Sequence, residues 1–253
     1  MLASQNQEVI QGFIEDTEKL LAGKKDTYSK IIDQIRLKVL AEAQSPHLSM
    51  RLIMGINDAL VEYSGKEFEQ INLFTRAERR KYRNPATMDR YVQIVFESTT
   101  ATEEMLIRNM DKVCVDIGIT MMKYEQSNQY WSQINPQFSL LSMLMLDKMK
   151  LMMKSYKTCT IQDALDVFDF QIKEYPNLKI DVGNPQLTPM IKQSWITDMV
   201  FETLGFEEED YIKTPGLEQN LGFRQKAEQL ATMIQHDAMQ SQGGFEGMMP
   251  GMM

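Results

Sequence analysis

The sequence predicts an all-α protein, an irregular antiparallel bundle of about eight to ten helices with a disordered C-terminal tail. Three observations predict it. Apolar residues recur at steps of three and four along most of the chain, which is the period of an amphipathic helix. Start signals, among them Asn84-Pro85, Thr160 and Thr188-Pro189, stand ahead of these stripes. There a side-chain oxygen can accept from the first free N–H groups, and proline's fixed φ suits the first turn. Methionine, a good helix former and an adaptable packing residue, is over-used at 21 of 253 residues.

The elements follow in chain order. Val9, Ile10, Phe13, Ile14, Leu20 and Leu21 predict a helix that stops near Gly23. Tyr28, Ile31, Ile32, Ile35, Val39 and Leu40 make the next stripe. Ser45-Pro46 opens a third, with Leu48, Leu52, Ile56, Leu60 and Tyr63 inward and Ser64-Gly65 expected to end it. A shorter helix with Phe68, Ile71, Leu73 and Phe74 then runs into basic residues.

After Asn84-Pro85, Met88, Tyr91, Val92, Val95 and Phe96 face one way, and Thr100-Ala-Thr-Glu103 reads as a capping box for a further helix. Behind it lies the most regular stripe: Leu106, Met110, Val113, Ile117, Met121 and Tyr124. It is too short for an isolated coiled coil, so an antiparallel bundle contact is expected. Asn135-Pro136 breaks it.

The segment LLSMLMLDKMKLMMKSY, 140–156, leaves apolar atoms on more than half of its helical circumference. Thr160 caps a helix with Ile161, Ala164, Leu165, Phe168 and Ile172 inward. Thr188-Pro189 starts another with Ile191, Trp195, Ile196, Met199, Val200 and Leu204, ended by Gly205. A last helix begins near Thr214-Pro215.

Composition shifts divide the chain into a main helical domain at 1–175, a Pro/Gly/Asn-rich linker at 176–188, a small helical unit at 189–236 and a Gly/Met-rich tail at 237–253. Charged residues at 25% and hydrophobic residues at 43% are those of a globular protein. The formal charge of −8 argues against a general nucleic-acid binder. Neither a signal peptide nor a membrane span is expected, since the most apolar stretch carries Asp147, Lys148 and Lys150. Cys114 and Cys159 read as reduced buried thiols.

Catalytic motifs are missing. Two histidines, His47 and His236, are too few for histidine-rich metal sites. No GxxxxGK[ST], GxGxxG after a strand, or GxSxG occurs. The expectation is a non-enzymatic protein with no cofactor and no metal.

Three features are candidate contact sites. Arg76, Arg79, Arg80, Lys81, Arg83 and Arg90 concentrate positive charge beside Tyr82 and Tyr91. Such a segment could be a solvated helix end, a grip on a partner's acidic patch, or a contact to nucleic acid through phosphates and stacked bases. Within one assembly it could meet Glu207–Asp210 of a second copy, a run otherwise read as a solvated acidic turn. Met145, Met149, Met152 and Met153 form either a core helix or an adaptable docking face. Phe245, Met248 and Met249 are large apolar anchors in a glycine-rich tail. Ordering that tail would cost about 1–2 kcal/mol per residue in backbone entropy, so few anchors would engage.

The functional expectation is a protein–protein interaction component of a larger complex: a cellular adaptor, or part of a virion or secretion machine. It would bind other proteins or itself, in the cytoplasm or in a virion. The alternative is a nucleic-acid-associated factor using Arg76–Arg90, and the third an enzyme whose site the sequence does not reveal.

Overall fold

The computed structural model describes residues 27–135, Phe138, 141–184 and 187–243, with the side chains of 141–143 and 238–243 excepted. The helix expected over 9–21 and the anchors Phe245, Met248 and Met249 lie outside the described residues. The chain is all-α. Among the described residues there is no strand, and nine α-helices follow one another. They are α1 at 27–41, α2 at Met50–Arg80, α3 at Met88–Ile117, α4 at Met121–Ile134, α5 at Leu141–Met152, α6 at Ile161–Glu174, α7 at Leu187–Leu204, α8 at Glu208–Tyr211 and α9 at Leu221–Gly243.

Some of the expected breaks hold. Asn84 accepts from the Ala86 N–H and opens the short 3-10 turn Pro85–Thr87. Thr160 and Asp163 form a reciprocal capping box at the start of α6. Gly205 ends α7 with φ 74°, its N–H reaching the Phe201 carbonyl at 2.9 Å.

Other expected boundaries fail. Thr188 lies inside α7, its Oγ1 donating to the Asn184 carbonyl at 3.0 Å, and the last helix begins not at Thr214-Pro215 but at Leu221, capped by Asn220. α2 does not stop at Ser64-Gly65 but continues to Arg80, since one glycine costs a helix only about 1 kcal/mol. Gly65 is buried, and a Cβ there would come within 2.9 Å of Met152 Cε; the missing side chain lets α5 approach. α3 runs without interruption through 100–103, where Thr99 Oγ1 donates to the Val95 carbonyl at 3.1 Å and no cap forms. Glu103 and Glu104 are therefore mid-helix, not at an N-terminus. The start of α2 is set by Ser49, not Ser45-Pro46: Ser49 Oγ accepts from the Leu52 N–H at 3.3 Å.

Two units compose the described chain. One holds residues up to Ile71 together with Thr100–Met152; the other holds Asn72–Thr99 and the residues from Met153 onward. The division falls within α2 and α3 and at the end of α5, not in the segment 176–188 that composition marks as a linker. That segment instead supplies Leu178, Ile180 and Val182 to an apolar cluster. The expected flexible tail also begins too early, since α9 continues to Gly243.

In the first unit Ile32, Ile35 and Val39 of α1 join Leu52, Ile53, Ile56 and Leu60 of α2, Met110, Val113, Cys114 and Ile117 of α3, and Tyr124 of α4 in one core. Fully burying each such aliphatic side chain contributes about 1.5–3 kcal/mol. The long stripe from Leu106 to Tyr124 serves this core even though α3 ends at Ile117 and α4 starts only at Met121. Two polar pairs inside are matched: Tyr124 Oη donates to Asn57 Oδ1 at 2.7 Å, and Asn109 Nδ2 donates to Ser64 Oγ at 3.1 Å.

The second unit has two clusters. Tyr91 and Val95 pack with Ile180, Ile191 and Trp195. Ala164 and Val167 pack with Cys159, Val200, Tyr211 and Leu217.

Candidate functional site

The basic segment occupies the end of α2 and the turn into α3, within the second unit. Its arginines are i, i+3 and i+4 neighbours on one helix face, so Arg76, Arg79 and Arg80 reach a common target. That target is acidic and belongs to the same chain. Arg76 Nη1 donates to Glu209 Oε1 and Oε2 at 2.8 and 2.7 Å. Arg79 Nε and Nη2 donate to Asp198 at 2.7 and 2.9 Å. Arg80 Nη1 and Nη2 hold Glu207 at 2.7 Å each, and its Nε reaches Asp198 Oδ1 at 2.9 Å. Tyr91 Oη also donates to Asp198, at 2.8 Å.

Three guanidinium charges thus meet three carboxylate charges in a desolvated network. Arg76 and Arg79 are only 4% and 9% exposed, so neither is offered to a partner. Burial pulls the Arg79 pKa down, but its bonds and attraction to Asp198 outweigh this and raise it above the ordinary value. Burial, and then the Asp198 charge, push the Tyr91 hydroxyl far up, which keeps its proton on the bond to Asp198. Arg83 pairs with Glu202, and burial lowers its pKa. Lys81 and Arg90 remain exposed and pair with Glu78 and Glu97.

The acidic run is correspondingly not a solvated turn. Glu209 and Asp210 are buried, and Asp210 accepts from the backbone N–H groups of Tyr156 and Lys157 at 2.8 and 3.0 Å while capping α8. The complementarity expected between two copies is satisfied within one. Sequence reasoning paired the two segments by charge but left Asp198 out, because a single aspartate on an apolar helix gives no local signal.

The methionine helix splits. Met149 and Met153 are sealed inside and unavailable to a partner. Met145 is partly buried against the first unit's core, and Met152 is 36% exposed beside Gly65. Leu144 and Leu151 carry the outward face of α5.

The most exposed aliphatic side chains of the first unit lie elsewhere. Leu37 and Leu40 on α1 are 71% and 72% exposed, and Ile107 and Val115 on α3 are 63% and 64%. Sequence periodicity assigned both Val39 and Leu40 to the inward stripe; Val39 enters the core and Leu40 does not. The Asp116 carbonyl accepts from Arg36, and its carboxylate accepts from Tyr28 Oη at 2.9 Å and from Lys112. The Arg36 and Tyr28 bonds tie α1 to α3. The overlooked signal was that Leu37 and Val115 each lie off the core stripe of their own helix.

His47 is half-buried and stacks on Tyr130 at 4.1 Å. Asp237, beside His236, binds Lys192 and Tyr175. Among the described residues no three His, Cys, Asp or Glu side chains gather as a metal ion would require, and no helix is long and apolar enough to cross a membrane.

Compared with family models, with curated proteins and with solved structures, the chain matches none.

Proposed function

We propose that the protein is a non-enzymatic interaction component of a larger assembly, an adaptor or a structural part of a virion or secretion machine, working in the cytoplasm or in a virion. It docks protein partners on the α1–α3 face of the first unit. The observation that carries this reading is the exposure of Leu37, Leu40, Ile107 and Val115, each above 60%, on two helices tied together through Asp116. Large exposed aliphatic side chains on two helices that are bonded to each other support a partner contact there. The nucleic-acid reading has less support, because Arg76, Arg79 and Arg80, its main carriers, are engaged by Asp198, Glu207 and Glu209.

The test is affinity purification from the native source with the wild type and with Leu37→Ser, Leu40→Ser, Ile107→Ser and Val115→Ser combined. Partners retained by the wild type and lost by a variant with unchanged thermal unfolding support the α1–α3 face. An identical set of partners removes it. A parallel chain ending at Gly243 asks whether Phe245, Met248 and Met249 add to the contact.

A further inference from the structure

Helix α9 is 23 residues long, yet none of its described side chains, over 221–237, is fully buried. Helices α6 and α7, by contrast, bury Ala164, Val167, Ile191 and Val200 completely. α9 is held instead by part-buried contacts that follow α6 in the same direction. Gly222 faces Leu165, Phe223 sets its ring edge-on to Phe168 at 5.0 Å, and Lys226 pairs with Asp169. Asp237 then takes Lys192 of α7 at 2.9 Å and the Tyr175 hydroxyl at 3.3 Å.

The connection is short. Leu217 is 2% exposed and anchors the preceding loop in the core. Only Glu218, Gln219 and Asn220 separate it from α9, and the first two are exposed. Asn220 Oδ1 caps α9 by accepting from the Phe223 N–H at 3.0 Å.

We propose that α9 is an exchangeable arm, which docks on α6 and α7 of a second copy of this chain and produces a swapped dimer. Every contact just described can be made between copies as well as within one, so the two states differ mainly at the hinge 218–220. Departure of the arm withdraws Phe223 from the edge of the cluster of Val167, Val200, Tyr211 and Leu217 but takes none of its fully buried members, so opening is a local event and not unfolding of the unit. The partner is thereby specified: a second copy, through a surface of the second unit. The α1–α3 face plays no part, so either idea can fail alone.

The two amine–carboxylate pairs supply the test without mutation. Full-length heavy-isotope and natural-isotope chains are co-incubated in equal amounts at low and high concentration, then treated with a carbodiimide, which joins Lys226 to Asp169 and Lys192 to Asp237 as amides. Mass spectrometry reads whether each cross-linked peptide is of one isotope or mixed. The expected result is a mixed peptide that grows with protein concentration toward the half that random exchange gives. Deleting Glu218 and Gln219, which leaves α9 too little chain to turn back, raises the mixed share further. Cross-links of one isotope only, at every concentration, overturn the proposal, as does a mixed share that does not rise on shortening the hinge. Absence of both amides overturns it too, because α9 then does not dock as described.

Discussion

Arg79 grips Asp198 through two parallel hydrogen bonds, Nε to Oδ2 at 2.7 Å and Nη2 to Oδ1 at 2.9 Å, across 119 residues of sequence. Asp198 is fully buried and also receives Arg80 and the Tyr91 hydroxyl. Such a pair fixes which helices meet more than it adds to net stability, because desolvating both charges offsets most of their attraction.

Removing one partner should therefore cost far more than removing both. Asp198→Ala leaves Arg79 charged and unanswered in the interior, and should destabilise by about 3–5 kcal/mol. Arg79→Met combined with Asp198→Leu and Tyr91→Phe should lose much less, since Arg80 keeps Glu207. Urea unfolding of Arg79→Met, Asp198→Ala and the combined variant measures this. Equal losses in all three would show that the pair is not desolvated in solution.

Exposure on α1 and burial on α2 should separate in the same way. Ile56→Ala empties space at a side chain with 0% exposure in the first unit's core and should cost about 2–5 kcal/mol. Leu40→Ala, at 72% exposure, should change stability by no more than about 0.5 kcal/mol. A large loss at Leu40 in the isolated protein would mean that this face is already covered.

Gly118 joins α3 to α4 with φ 81°, and no heavy atom stands within 4 Å of where its Cβ would be. Backbone strain alone should then decide the effect of substitution. Gly118→Ala should cost about 1–2 kcal/mol, and Gly118→Asn less, because asparagine tolerates the left-handed region. Thermal unfolding of the two variants gives the order directly.

Burial pushes the Cys114 thiol from 9.0 up to about 12, with the charges of Asp111 and Glu125 adding to the effect. A raised folded-state pKa means that the neutral thiol's contribution to stability is whole below pH 9.0 and is lost as pH climbs toward about 12. In the native protein Cys114 should not react with a thiol reagent at neutral pH, and should react once urea unfolds the chain. Across the same alkaline window Cys114→Ala should lose less stability than the wild type.

Chain-local signals carried most of the fold. The stripe Ile32, Ile35, Val39 and the capping box Thr160–Asp163 depend on groups within a turn or two of one another, so the sequence displays them directly. The errors came where a neighbour distant in sequence decided. Gly65 reads as a stop, but Met152 fills the space its missing side chain leaves, and α2 continues. Val39 and Leu40 both fit the helical period of α1, yet only Val39 enters the core.

The sequence by itself determined that the chain is helical, where several of its helices begin, and that Arg76–Arg80 and Glu207–Asp210 carry opposite charge. Only the tertiary structure decided that these two segments satisfy each other within one chain, that Asp198 joins them, and that Met149 and Met153 face inward. The physical reason is range. Caps and periodicity act between residues a few positions apart, whereas an ion pair between Arg79 and Asp198 exists only after the fold has brought two helices together and excluded water from between them.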